Sequence, residues 1–294
     1  MEIDPIFYKK MYFDLRNLSD EQLKKHFVNH GFWEGRICNE NFLKIKQEKN
    51  FVKFNKNMEI LDKIIDDETF QIEEKLINII IRTHNRPLFF QKNLNSIKNL
   101  NYKNLKIYIS YENENTLEYI ENECKEMINV YPIKVFKKDA PAFYNDYCNQ
   151  VLENINEGYV MFLDDDDMIT HKNSFKYINK NLQEDRVLCW EYLRSDKIIG
   201  PVKGNIARGQ ITSCGFCYHS KHKSKWGTVR GGDHIFVRDL INNNNLKIGK
   251  IKQILTRAIS LNIVYGEGLA NDYVETEKDI VKEVVDGIID NICM

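Results

Sequence analysis

Four consecutive aspartates, Asp164, Asp165, Asp166 and Asp167, follow directly on the apolar run Tyr159-Val160-Met161-Phe162-Leu163. Such a run predicts a buried strand, and open α/β sheets take up their ligands at the carboxyl ends of their strands. Like charges a few ångströms apart repel and raise one another's pKa unless a hard divalent cation with oxygen ligands neutralises them. The pattern therefore points to a metal site carrying a phosphate. The plainer reading is an acidic turn that caps the next helix.

A strand of this kind needs neighbours, and the preceding sequence supplies them. From Lys75 onward strand and helix patterns alternate. Leu76 to Ile81, Leu105 to Ser110 and Tyr131 to Phe136 read as strands. Between them Phe90, Leu94 and Ile97, then Leu117, Ile120, Cys124 and Met127, then Tyr144, Tyr147, Cys148, Val151 and Ile155 recur at helical spacing. The order β-α-β-α-β-α-β predicts a largely parallel sheet with its ligand at the carboxyl edge. Beyond Asp185 the pattern loosens into a strand from Val187 to Tyr192, a Gly/Lys-rich loop at Ile199 to Gly204, and a helix from Asp233 to Leu240. A closing amphipathic helix is marked by Val281, Val284, Val285 and Ile288.

The amino-terminal segment reads as a small helical module. Asp4-Pro5 is an N-cap with proline at the first helical position, ahead of an apolar stripe of Phe7, Tyr8, Met11 and Tyr12. Ser19 and Gln22 form a capping box flanked by Leu18 and Leu23, and Gly31 stands where a C-terminal cap is wanted. The expected division is a helical module over 1–38, a lysine-rich helical connector over 39–74 and an α/β domain over 75–294. That domain has a ligand half at 75–170 and an acceptor half at 171–294.

Composition narrows the partners. Over 294 residues the formal net charge is -1, which gives no electrostatic case for nucleic acid or an anionic membrane. No apolar stretch reaches the roughly 20 residues that span a bilayer, and seven scattered cysteines suit a reducing compartment, so a cytoplasmic protein is expected. Cys214 and Cys217 have C-x-x-C spacing ahead of His219 and His222, a possible zinc set. Cys217 stands too close to the histidines for a usual finger, and strand residues beside a cleft are the favoured reading.

Three separated motifs carry a resemblance across about residues 76–245 to nucleotide-sugar-dependent glycosyltransferases of the GT-A fold, in the family 2-like group. Ile79 to Pro87 resembles that family's opening strand and P-T-Y-N-R loop, with Arg82 in place of the proline and His84 in place of the tyrosine. The resemblance assigns nucleotide contacts to Thr83 and Arg86. Glu112 stands near the family's base-binding acid, and the aspartate run is similar to its D-x-D or D-x-D-D signature.

By that resemblance Asp166 and Asp164 hold Mn²⁺ or Mg²⁺, with Asp167 behind them, and Asp164 and Asp165 are also grouped with the donor. Asn145 and Asn149 either support the diphosphate or form a solvated helix face. Asp233, after Gly231-Gly232, is either the catalytic base or a helix N-cap.

His219, His222 and His234 are further candidates for metal or phosphate, and His234 also for the acceptor side. Trp226 either stacks on a sugar or fills the core. The implied fold is a Rossmann-like, mostly parallel sheet flanked by helices. The implied reaction moves a sugar from a UDP-sugar to a hydroxyl of a glycan, lipid-linked or protein acceptor, with inversion. A nucleotidyltransferase is the alternative enzyme, although the loop at 82–87 lacks the glycines that cradle a triphosphate. An inactive glycan-binding or scaffold protein is the alternative without catalysis. The amino-terminal helices are a candidate surface for homo-oligomers.

Overall fold

A computed structural model describes residues 3–11, 15, 17–31, 38–65, 73–139, 142–194, 197–200, 206, 209–229 and 232–258. Tyr12, the 32–36 stretch, the loop residues 201–204, Gly231 and the closing helix with Val281, Val284, Val285 and Ile288 lie outside the described residues. Contacts group the chain into two units, Met1–Lys56 and Asn57–Met294.

The first unit holds α1 (Pro5–Met11), α2 (Asp20–His26), a π-turn at Phe27–Gly31 and most of α3 (Glu40–Asp62). The Asp4 carboxylate accepts from Ile6 N and Phe7 N at 3.0 Å each, which supplies partners for the orphan donors of α1. Ser19 and Gln22 form the capping box of α2 as expected. The unit's core is small: Tyr8, Leu15, Leu23, Phe27 and Cys38 are buried.

The second unit is a mixed α/β layer structure. Its strands are β1 (Ile77–Arg82), β2 (Leu105–Tyr111), β3 (Val130–Lys134), β4 (Tyr159–Phe162), β5 (Asp167–Ile169), β6 (Arg186–Arg194), β7 (Lys197–Ile199), β8 (Phe216–His219) and β9 (Lys247–Ala258). They form one sheet in the order β3-β2-β1-β4-β8-β6-β9-β5, with β7 beside β6. The half β3-β2-β1-β4 is wholly parallel. From there the sheet is mixed, because β8 is antiparallel to both β4 and β6, and β5 is antiparallel to β9.

Period-2 alternation sorts the strand side chains onto two faces. Ile77, Ile79, Ile81, Met161 and Leu163 pack on one side with α4 (Pro87–Lys98), α5 (Glu114–Cys124) and α7 (Ser174–Asn181). Ile80, Val160 and Phe162 pack on the other with α6 (Tyr144–Leu152) and α8 (Gly232–Asn244). The carboxyl-terminal turn of α3 belongs to this unit: Asn57 makes paired bonds to Ile254 N and O, and Leu61 and Ile64 enter the core. No described helix is long and apolar enough to cross a membrane.

Candidate active site

Residues from β1, β4 and their following loops meet at the carboxyl edge of the parallel half. Arg82 ends β1, and a tight turn follows in which Asn85 takes φ 51°, a left-handed conformation that asparagine tolerates. Arg86 then precedes Pro87, the first residue of α4. The β1–β4 ladder runs on past the strands, through Leu163 N to Ile80 O at 2.9 Å and Asp165 N to Arg82 O at 3.1 Å. This register sets the two arginines of one loop against the aspartates of the other.

The four aspartates have four different surroundings. Asp164 accepts from Arg82 Nε at 2.6 Å and from Arg82 Nη2, and also from Ser213 Oγ at 3.1 Å. Burial pushes its carboxyl up, but the charge and hydrogen bonds of Arg82 outweigh this, and the pKa falls below the usual value. Asp165 has no exposed side-chain surface and takes both Nε and Nη2 of Arg86. Asp166 accepts from Nη1 of Arg86 at 3.3 Å. Burial pushes Asp166 upward against the pull of Arg86.

Asp167 turns inward. Its Oδ2 accepts from Asp164 N at 3.2 Å and its own N donates to Asp164 O at 2.8 Å, which closes the turn. Asn93, fully buried on α4, donates to the carbonyls of both Asp164 and Asp167 at 2.8 Å. Asp167 is thus a turn-former at 4% exposure, and the expectation that it joins a metal shell is corrected. The same holds for Asp165 as a direct donor contact, because a side chain wholly enclosed by Arg86 and the protein cannot touch a ligand.

Asp233 enters from the first turn of α8. Burial pushes its carboxyl up to about 6, with the Arg82 guanidinium opposing and the Asp164 charge adding. It therefore lies within electrostatic reach of the cluster. Glu112, just beyond β2, accepts from the Tyr147 hydroxyl and stands 3.9 Å from His84 Nδ1. Thr83 is 6% exposed, and its hydroxyl is bonded to Tyr119 at 2.6 Å.

Asn145 and Asn149 hold a strap of backbone. Asn145 donates to Gly227 O at 2.8 Å and Val229 O at 3.3 Å, while Asn149 exchanges two bonds with the backbone of Trp226, at 3.0 and 2.8 Å. Their amides are occupied in fixing the segment that leads into α8. Trp226 is 3% exposed, stacked on Phe236 at 4.6 Å and edge-on to Phe162 at 5.0 Å. It fills the core, so the sugar-stacking expectation is corrected.

His219 and His222 are not brought to the cluster. Because β8 is antiparallel to β4, His219 lies opposite Tyr159, at the amino end of β4, and His222 follows it, bonded to Glu184 O at 2.7 Å. That is the end of the sheet away from the aspartates, so neither residue can share their ion. Cys214, Cys217 and His219 spread along β8 and the turn before it, which also removes the zinc set. His234 is bonded through Nε2 to Ile206 O at 3.0 Å. A shallow hollow of ≈ 530 Å³, lined by Lys75, Leu76, Gly158, Tyr159 and His219 among others, sits at the amino end and not beside the charged cluster. Its size does not outweigh the chemistry gathered at the opposite edge.

Sequence reasoning gave Arg82 no role beyond being a departure from a family pattern, read Tyr147 only as part of a helical stripe, and missed Ser213 and Asn93 altogether. A charged residue closing an otherwise apolar strand beside an acidic neighbour was a readable signal for Arg82. No local pattern ties the other three to the site, because each is brought in by tertiary packing.

Among the described residues no group of three or more His, Cys, Asp or Glu gathers with metal-holding geometry. A dedicated protein cage is therefore not what this site offers. The donor chemistry fits a different mode. Mg²⁺ and similar hard ions are commonly held by one or two carboxylates together with substrate phosphates, and Asp166 is a carboxylate whose contact with Arg86 is one nitrogen at 3.3 Å.

A parallel half-sheet continued by a mixed one, flanked by helices, is the architecture of the GT-A class of glycosyltransferase folds. Residues 78–212 match the family model for Glycosyl transferase family 2. TarS of S. aureus (residues 1–349, in complex with UDP-GlcNAc) is similar in structure, with a TM-score of 0.54 and 16% identity over 73% of this chain and 66% of that one. TarS 1–349 without that ligand gives 0.52 and 16%, over 64% and 61%. The mannosyltransferase PcManGT of Pyrobaculum calidifontis, in complex with GDP-Man and Mn²⁺, gives 0.50 and 9%, over 77% and 70%. The chain spans 61% of the 1–349 form and 37% of the longer TarS structure. No curated protein matches it in sequence.

Proposed function

We propose that the chain is a glycosyltransferase that moves a sugar from a UDP-sugar to a hydroxyl acceptor, with inversion, in glycan synthesis. The observation that carries this reading is the meeting of Arg82, Arg86 and the aspartate run, with Asp233 of the first turn of α8 nearby, a carboxylate that burial raises to about 6. A base with a pKa below neutrality but well above an ordinary carboxylate is ionised at pH 7 and still basic enough to take a hydroxyl proton. The similarity to TarS bound to UDP-GlcNAc supports a uridine donor.

In this reading Glu112 accepts an N–H of the uracil ring at the end of β2. Arg86 stands beside the diphosphate, and Asp166 would hold a divalent ion, Mn²⁺ or Mg²⁺. A bound ion of that kind stabilises negative charge on the departing diphosphate. Asp233 orients the acceptor hydroxyl and removes its proton as the oxygen attacks the anomeric carbon. The strap fixed by Asn145 and Asn149 holds the amino end of α8, and with it Asp233, beside the charged cluster.

The test is release of nucleoside diphosphate from a panel of nucleotide sugars with Mn²⁺. UDP release from at least one UDP-sugar, lost in Asp166→Ala, supports the reading. In Asp233→Ala, nucleotide binding with no transfer supports the assigned base. No release from any donor, with the protein folded, overturns the proposal.

A further inference from the structure

The strongest unassigned feature is Arg82. It closes β1 with a guanidinium that is only 16% exposed and is fixed on every side. Nε and Nη2 fork onto the two oxygens of Asp164, and Nη1 donates to Tyr144 O at 3.3 Å and Asn145 Oδ1 at 3.5 Å. The rings of Tyr144 and Trp226 lie 5.6 and 6.0 Å from its central carbon. Those neighbours are themselves held, because Asn145 is tied to the 227–229 backbone and Trp226 is stacked in the core.

We propose that Arg82 is a positioning residue that keeps Asp164 out of the divalent ion's ligand shell. The ion then arrives on the donor's diphosphate and meets Asp166 as its protein carboxylate. This inference rests on the diphosphate reading above and assigns the ion's mode of entry.

Two further facts support it. A carboxylate offers about four acceptor sites, and Asp164 already receives Arg82 Nε, Arg82 Nη2 and Ser213 Oγ. For Asp164 to ligate an ion, Arg82 would have to give up the one carboxylate it is paired with, leaving a mostly buried charge uncompensated, an arrangement proteins avoid. Charge balance points the same way. The guanidiniums of Arg82 and Arg86 offset two of the three charges on Asp164, Asp165 and Asp166. That is a weak trap for a free dication. It becomes a strong one when a diphosphate adds its own charges.

The experiment is Mn²⁺ binding, followed by electron paramagnetic resonance on the full chain with and without UDP. The wild type is expected to bind Mn²⁺ weakly alone and about ten-fold or more tighter with UDP. Arg82→Gln releases Asp164, so it should bind Mn²⁺ about ten-fold tighter than the wild type without nucleotide. Arg82→Lys keeps the charge without the fork and should fall between them. With UDP present, Asp166→Asn should lose about ten-fold or more in Mn²⁺ affinity and Asp164→Asn less than about three-fold.

Folded Arg82→Gln binding no tighter than the wild type, or Asp164→Asn losing as much as Asp166→Asn, overturns the proposal. So does a wild type that binds Mn²⁺ equally well with and without UDP while UDP itself binds. If Arg82→Gln fails to fold, the Asp164→Asn and Asp166→Asn pair decides. Absence of UDP binding in every variant would sink the diphosphate reading instead, and Arg82→Gln and Arg82→Lys without nucleotide would still judge Arg82.

Discussion

The two ends of β4 place charge in opposite ways. At its amino end the pairs are open to solvent: Lys221–Glu184 has side chains 49% and 58% exposed, and the nearby Lys247–Asp185 pair 73% and 52%. At its carboxyl end Arg86–Asp165 is 14% and 0% exposed, and Arg82–Asp164 is 16% and 19%. Solvated pairs contribute little to stability. Burying an ion pair costs more in desolvation than a matched apolar replacement would, so it is a poor way to stabilise a fold. The difference teaches where position matters more than stability: the buried end is arranged for chemistry, and the open end is ordinary surface.

The sharpest way to test that contrast is at Asp233. Asp233→Asn is expected to lower transfer by about 10²–10⁴-fold while leaving UDP binding in place, measured by turnover and calorimetry. Unchanged turnover would reduce Asp233 to a helix-end residue. Next, Arg86→Met strands a fully enclosed Asp165 carboxylate and should destabilise the domain by about 3 kcal/mol in urea unfolding at pH 8. A negligible loss would mean the buried pair is no tighter a constraint than the open ones.

Gly232→Ala tests the seat of α8. A Cβ there would meet Asn145 Nδ2 at 2.7 Å and Trp226 Cε3 at 3.3 Å. The strap must shift, and a cost of about 1–3 kcal/mol with a fall in transfer is expected. A neutral alanine would show that the approach of α8 to Asn145 is loose.

The pH dependence follows from the raised pKa of Asp233. A base must be ionised, so transfer should fall as pH drops through about 6. For stability the sign is reversed. An acid whose folded pKa is raised favours the fold when protonated, and that contribution is lost as pH rises through about 6. Asp233→Asn should therefore gain stability relative to the wild type at pH 8 and not at pH 4. The smallest effect belongs to the open end. Glu184→Gln should change neither the unfolding midpoint nor turnover, and a clear effect on either would erase the contrast between the ends.

Much of this was legible in the chain. The apolar runs at 76–81, 105–110 and 159–163 read as buried strands because parallel strands covered on both faces are nearly continuous in apolar residues. The aspartates mark the carboxyl edge for the same reason. The second half was harder. β9, a twelve-residue strand, went unread, because Ile248, Ile251 and Ile254 recur every third residue and not at the alternation of a strand. The reversal of direction at β8 was also invisible, and it is what carries His219 and His222 to the wrong end.

Asp165 and Asp166 show the limit most clearly. They are adjacent, identical residues, and only the placement of Arg86 makes one scaffold and the other a candidate ligand. Trp226 gives the same lesson, since a tryptophan before a glycine reads equally as platform or core until Phe236 is seen stacked against it.

The most direct test of the central claim is the melting temperature of the full chain with UDP, with Mn²⁺, and with both. A ligand that binds only the folded state raises apparent stability by mass action. A nucleoside diphosphate held through an ion on Asp166 should give a shift that needs both components and disappears in Asp166→Ala. No shift under any of the three conditions, or a UDP shift untouched by Asp166→Ala, would contradict a diphosphate site at the carboxyl edge of β4.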